Sequence, residues 1–197
     1  SIGNDCFSGC SFLEEIDLPK ESIVKSFGDF CFHGCKHLKS IIVPPSVQTI
    51  GDYCFFDCLS LEEIIFVEGN LITYFPNDCF SGCTSLKSID IPPLVETLGN
   101  YCFACCSTFR SIIIPPSVQT IGDDCFFDCS SLEEIIFVQG TQINVLPNGC
   151  FSDCTSLKYI VIPPSVESIG VYCFSGCSSL EEIIFVQGTQ INVLPNG

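Results

Sequence analysis

Short stretches in which apolar side chains recur at every second position alternate with turns rich in Gly, Pro, Asp and Asn, and the alternation returns on a fixed period. The clearest unit runs from Cys125 to Val138, Cys-Phe-Phe-Asp-Cys-Ser-Ser-Leu-Glu-Glu-Ile-Ile-Phe-Val. Versions of it open at Cys6, Cys31, Cys54, Cys79, Cys102, Cys125, Cys150 and Cys173, in steps of 25, 23, 25, 23, 23, 25 and 23 residues. Such a period predicts a solenoid in which each repeat packs on its neighbours, not one globular core. In each unit Leu-x-x-Ile-x-Ile reads as a half-buried strand. Its inward columns are Leu38, Leu61, Leu86, Phe109, Leu132 and Leu157; Ile41, Ile64, Ile89, Ile112, Ile135 and Ile160; and Val43, Phe66, Ile91, Ile114, Phe137 and Ile162. Stacking predicts that these strands form a parallel sheet with a spacing of about 4.8 Å.

Two turn chemistries account for the two periods. The shorter form closes the strand with Pro-Pro, as at Pro44-Pro45, Pro92-Pro93, Pro115-Pro116 and Pro163-Pro164, where missing amides end the ladder. The longer form runs Phe-Val-x-Gly, at Phe66–Gly69, Phe137–Gly140 and Phe185–Gly188. A return leg then buries an apolar pair three apart, such as Val118/Ile121 or Ile143/Leu146, before Gly or Pro and a polar residue lead into the next Cys-Phe. The Phe column, from Phe7 through Phe103 to Phe174, predicts a stacked aromatic spine. Segments 129–149 and 177–197 are identical, the mark of a duplication.

Charge and cysteine content narrow the classes of partner. With 23 acidic and 7 basic residues, net charge −16, the surface repels nucleic-acid phosphates and anionic headgroups. A protein partner is expected, with no nucleic acid. The apolar runs, such as Ile135–Val138, fall far short of the roughly 20 residues of a transmembrane span. No leader, anchor or Asn-x-Ser/Thr site is visible in the chain. Sixteen of the 17 cysteines occupy the two ends of Cys-Phe-x-x-Cys, as small buried side chains would. Reduced thiols are expected, in a chain that is cytoplasmic or leaderless and membrane-associated, with the cell surface as the alternative.

The motifs Ile50-Gly51-Asp52-Tyr53-Cys54-Phe55, Cys35-Lys36-His37-Leu38 and Pro116-Ser117-Val118 resemble the BspA-like, or Treponema-type, leucine-rich repeats, and the likeness runs over essentially all 197 residues. Cys in place of Ala before Phe resembles the versions found in parasitic protists. The resemblance implies a leucine-rich-repeat solenoid, β-rich, with a parallel sheet along one face, curved or elongated, with about eight repeats of 23–25 residues. It is expected to be a single domain over residues 1–197, uncapped at both ends, whether whole or a fragment. The family also implies an interaction protein, often surface-associated and adhesive, without catalytic activity.

The candidate binding surface lies on the outward side of the strands. Its central column reads Asp17, Ile42, Ile65, Asp90, Ile113, Ile136, Val161, Ile184, six of eight positions apolar and β-branched. A contiguous apolar stripe of this kind marks a partner or self-association surface, although strand propensity alone favours the same residues. Beside it run Glu15, Ser40, Glu63, Ser88, Ser111, Glu134, Tyr159 and Glu182, and one step earlier Glu14, Lys39, Glu62, Lys87, Arg110, Glu133, Lys158 and Glu181. The last column alternates in sign except at Lys87/Arg110, so neighbouring strands are expected to pair opposite charges. Together the columns form an apolar stripe with a polar rim. The expected function is binding of a protein partner through this face, with self-assembly into a homo-oligomer or surface adhesion as alternatives. Cys31, His33, Cys35 and His37 are zinc-type ligands, but the two cysteines belong to columns found in every repeat, and no metal or cofactor is expected. Catalysis lacks a nucleophile with a partnering base. Cys105, the only cysteine outside the columns, is the candidate reactive thiol.

Overall fold

The computed structural model describes residues 1–191, which form a stack of turns built only from short parallel strands and tight loops, with no helix among the described residues. Six four-residue strands carry the outward face: β2 (Ser40–Val43), β4 (Glu63–Phe66), β7 (Ser111–Ile114), β9 (Glu134–Phe137), β11 (Tyr159–Ile162) and β13 (Glu182–Phe185). Between them the return legs form two-residue strands: β1 (Ser26–Phe27), β3 (Thr49–Ile50), β5 (Tyr74–Phe75), β6 (Thr97–Leu98), β8 (Thr120–Ile121), β10 (Val145–Leu146) and β12 (Ser168–Ile169). Every pairing between strands is parallel, in the register of equivalent repeat positions, such as Ile113↔Ile136 and Leu98↔Ile121.

The continuous framework lies on the side of the Cys-Phe turns. Across each of the seven steps three backbone N–H groups donate to the next repeat. For the repeat at Cys102 these are Tyr101 to Asp123 (2.9 Å), Phe103 to Cys125 (2.8 Å) and Cys105 to Phe127 (2.7 Å). The turn bends through two left-handed residues, one before each column cysteine. The position before the second cysteine holds Gly9, Gly34, Gly82 or Gly176 in half of the repeats, and Asp57, Cys105, Asp128 or Asp153, with φ of 53–60°, in the others. Gly is free there, and Asp tolerates the region better than most residues.

Three side-chain ladders reinforce this edge. The Phe rings stack as expected, with centroids 5.3–5.7 Å apart and nearly parallel planes from Phe7 to Phe174. The second cysteine of each repeat donates its S–H to the Phe carbonyl of the preceding repeat, as Cys106 Sγ does to Phe80 O at 3.2 Å. An Asn/Asp ladder runs through Asn4, Asp29, Asp52, Asn77, Asn100, Asp123 and Asn148, each side chain accepting the backbone N–H at the same position one repeat on. At Gly122 the approach is too close for a side chain, since a Cβ there would lie 2.5 Å from Asn100 N, whereas Pro76 and Pro147 hold the corresponding position before Asn77 and Asn148.

The sheet departs from the continuous ladder expected. The four-residue strands bond in pairs, β2–β4, β7–β9 and β11–β13, each across a 23-residue step. Across the 25-residue steps no backbone bond joins β9 to β11 among the described residues, and β3 and β5 are likewise unbonded. The two extra residues of the Phe-Val-x-Gly turns hold these strands apart, and side chains span the seams instead. Thr84 Oγ1 donates to Leu59 O (3.2 Å), Lys87 to Glu62 (3.1 Å), Thr155 Oγ1 to Ser130 O (3.2 Å) and Tyr159 Oη to Glu134 (3.3 Å). No strand forms at 14–18 or 88–91, the two repeats with Asp at the central outward position, a residue depleted in strands.

The core is one column of apolar side chains along the stack. The inward residues are buried, except that Phe66, Ile91 and Phe137 are only half-buried at the strand ends, and the return-leg pairs are buried with them. Phe103 stacks on both neighbours and on Phe109, so Phe103→Ala should lower the unfolding free energy by about 3–5 kcal/mol. Asn100→Ala removes the acceptor of the Asp123 N–H at an exposed position, where water can take its place, and should cost about 0.5–1.5 kcal/mol. Denaturant unfolding checks both, and a loss confined to the Phe variant would show that the Asn/Asp ladder carries no stability.

Candidate protein-binding face

Burial of Ile41, Ile64, Ile112, Ile135 and Ile160 beneath the strands forces the alternate residues outward. Ile42, Ile65, Ile136, Val161 and Ile184 are 36–40 % exposed and Ile113 is 55 % exposed. Strand register sets them side by side as Ile42↔Ile65, Ile113↔Ile136 and Val161↔Ile184. Asp17 and Asp90 are also exposed, but in the two repeats without a strand. The stripe expected to be contiguous is therefore divided: Asp90 separates Ile42/Ile65 from the longer patch of Ile113, Ile136, Val161 and Ile184.

The rim residues fall where the columns place them. Glu15, Glu63, Arg110, Tyr159 and Glu182 are exposed and Glu134 is half-buried, held by the Tyr159 hydroxyl. Of the opposite-charge pairs expected between neighbouring strands, two form: Lys87–Glu62 at 3.1 Å and Arg110–Glu133 at 3.9 Å. Lys39 and Lys158 have extended into solvent, where holding a long side chain in one geometry gains little. Four of the seven basic residues stand in this single column, so positive charge on the solenoid concentrates on the strand face.

Two hollows adjoin the stripe that the periodic pattern does not reveal. One, about 210 Å³, lies beside Ile113 between Ser88, Asp90, Ser111 and Pro115, where the missing strand leaves room. The other, about 510 Å³, lies at the seam between β9 and β11, lined by Phe137, Val138, Thr141, Val161, Pro163, Pro164 and Val186. The alternation of Phe-Val-x-Gly with Pro-Pro turns is the signal from which the second could be found.

The other candidate sites are not assembled. Cys31 and Cys35 are fully buried, with Cys35 Sγ donating to Phe7 O, whereas His33 pairs with Ser8 Oγ (3.2 Å) and His37 with Ser11 O (2.5 Å). No group of three or more His, Cys, Asp or Glu among the described residues is arranged to hold a metal. Cys105 is half-buried in a left-handed turn; burial, with Asp128 and Asp57 nearby, raises its thiol above the usual value. It is thus a poorer nucleophile than expected, and Cys6 and Cys10 are more exposed.

These features define a parallel β-solenoid repeat protein with an exposed, mostly apolar strand face. The chain belongs to the BspA type leucine rich repeat family, which matches residues 1–133 and 73–193 in 6 copies. No curated protein matches the chain. Among solved structures, a leucine-rich repeat protein from Bacteroides ovatus is similar at 36 % identity and a TM-score of 0.77, over 84 % of this chain and 42 % of its own. A leucine rich repeat protein from T. pallidum is similar at 28 % identity and a TM-score of 0.72, over 83 % and 76 %. One from Eubacterium ventriosum, at 22 % identity and a TM-score of 0.58 over 92 % and 57 %, shares the fold. The chain thus spans less than half the length of the Bacteroides ovatus protein. These relatives are bacterial, and the protist resemblance is not among the likenesses found. Repeats of this fold generally mediate protein–protein interaction and are typically non-enzymatic.

Burial raises the thiol of every buried cysteine except Cys31, whose sulfur accepts from Cys54; Cys35 is pushed up to about 11 and Cys173 to about 12. The folded chain therefore keeps protons that the unfolded chain releases above about pH 8.5, so stability present below that pH falls as pH rises through the alkaline range. A denaturation midpoint lower at pH 10 than at pH 7 is expected under reducing conditions; a flat profile would contradict burial of the thiols. Alkylation of the native chain should be fastest at Cys6 and Cys10. At Cys105 it should be slower and still accelerating above pH 9, and equal reactivity of all thiols would contradict this ordering.

Proposed function

We propose that the chain is a protein–protein interaction module, serving as a binding surface or scaffold, that engages its partner through the strand face. The observation that carries this reading is the patch of Ile113, Ile136, Val161 and Ile184, exposed side by side on strands whose opposite side is fully committed to the core. Apolar side chains at the centre with Tyr159, Arg110, Glu134 and Glu182 around them have the composition of an interface core and rim. The hollow at the β9–β11 seam adds a recess for an anchoring side chain of the partner.

No helix among the described residues is long and apolar enough to cross a membrane. The column of S–H donors, each on a carbonyl of the preceding repeat, supports reduced thiols and hence a reducing compartment. A location in the cytoplasm, or at a membrane without a leader, fits that chemistry. Display on the cell surface as an adhesin is the alternative, and labelling of intact cells separates the two.

The double variant Ile113→Glu/Ile136→Glu places two charges in the centre of the patch without touching the core. Like charges on these cross-strand neighbours should lower the unfolding midpoint modestly while circular dichroism shows the fold retained, and affinity for the partner should fall about 100-fold, the scale of losing two central interface residues. Unchanged affinity in that variant would remove the strand face as the binding surface.

A further inference from the structure

The order of charges along the outer column of the strand face reads the same from both ends. By repeat it runs minus, plus, minus, plus, plus, minus, plus, minus, from Glu14 to Glu181. We propose that the alternation of sign on either side of Arg110, half a repeat from the centre of that palindrome, specifies a two-fold antiparallel dimer in which the strand face of one chain packs on that of a second copy, with the dyad passing through the repeat of Arg110 and Ile113. The proposal rests on the strand-face reading and names the partner as the chain itself.

A two-fold contact brings the same patch of both copies together, so the surface must be complementary to itself under reversal of the repeat order. About a dyad at Arg110, Lys39 of one copy faces Glu181 of the other, Glu62 faces Lys158 and Lys87 faces Glu133; symmetry makes each pair twice. The sole like pair is Arg110 with its own copy, and each of those guanidinium groups already has Glu133 at 3.9 Å. The neighbouring column also meets without carboxylate against carboxylate: Ser40 faces Glu182, Glu63 faces Tyr159 and Ser88 faces Glu134.

The apolar column agrees. Ile113 meets Ile113 on the dyad, Ile65 meets Val161 and Ile42 meets Ile184. Ile113 is also the most exposed of these residues, 55 % against 36–40 %, because the hollow left by the missing strand lies beside it, so it has the most apolar area to bury at the dyad. The cost is Asp90 facing Ile136, an uncompensated carboxylate against an aliphatic side chain.

Other arrangements fail on the same residues. Moving the dyad half a repeat, between Lys87 and Arg110, sets every charge of the outer column against its like: Glu62 on Glu133, Lys39 on Lys158 and Lys87 on Arg110. A dyad through Lys87 restores opposite pairs but presses Asp90 against Asp90 at its centre. A contact that keeps the repeat order and reverses the strands about the isoleucine column sets Asp17 on Asp17 and Asp90 on Asp90, carboxylate against carboxylate.

The test is sedimentation equilibrium of the reduced chain at about 0.15 M salt, with circular dichroism confirming that each variant is folded. The unaltered chain should be a concentration-dependent dimer. Lys39→Glu and Glu181→Lys each turn two attractions into repulsions and should weaken the dimer about ten-fold apiece. The two together restore the pairing and should return the dissociation constant to near its original value. Asp90→Val should tighten it.

A double variant no better than the singles would overturn the register. A chain monomeric at every concentration would overturn the dimer. If such a monomer nevertheless binds a foreign protein, and loses it on Ile113→Glu/Ile136→Glu, the strand-face reading stands without the dimer.

Discussion

The hydrogen-bond ladder along the Cys-Phe turns is the constraint on which the rest of this molecule depends. Backbone bonds within a repeat, such as Cys106 N–H to Phe103 O, close its tight turns, and the remaining buried N–H and C=O groups must find partners in the next repeat. Three bonds across every step meet that demand regardless of whether the step is 23 or 25 residues long. They hold the repeats at one spacing, which places the Phe rings 5.3–5.7 Å apart and brings each column thiol within reach of a carbonyl. The Asn/Asp side chains extend the same ladder outside the turn, where the backbone runs out of bonds of its own.

Because the turns maintain the spacing, the strand face is free to vary. Its strands pair across three of the short steps and part at the β4 and β9 seams, where side chains such as Lys87 and Tyr159 bridge the openings. A face assembled in this way is a display: its outward residues take no part in the core and can be selected for what they meet. The concentration of basic residues in one column of an otherwise acidic solenoid, and the isoleucines beside it, follow that logic.

Much of this was legible in the residues because a repeat converts sequence position into spatial position. The period puts Phe7 through Phe174 into one stack, and the alternation at Ile41-Ile42-Val43 distinguishes inside from outside. The ladders were not legible in the same way. Asn77, Asn100 and Asp123 read as ordinary turn residues, since nothing in their spacing says that an amide of the next repeat lies within bonding distance. The column cysteines read as small hydrophobes, and their role as S–H donors depends on the carbonyl they happen to face.

The interruption of the sheet is hidden in the repeat for a different reason. Asp17 and Asp90 were visible in the outward column, but the strength of the repeat argued for a strand in every turn, and local strand propensity prevailed over it. Ion pairing was overestimated because a column fixes where the Cα atoms of Lys39 and Lys158 stand, not where their long side chains come to rest. Cys105 drew attention by its position alone, whereas its reactivity is governed by burial and by the carboxylates near it.

The central claim, that this solenoid acts through its strand face, is most directly tested by hydroxyl-radical footprinting of the chain free and in its associated state. The account predicts that oxidation of Ile113, Ile136, Val161 and Tyr159 falls on association, while Tyr172 and Leu94, exposed on other sides of the stack, are labelled as before. Protection of Tyr172 or Leu94 with the strand residues unchanged would contradict it.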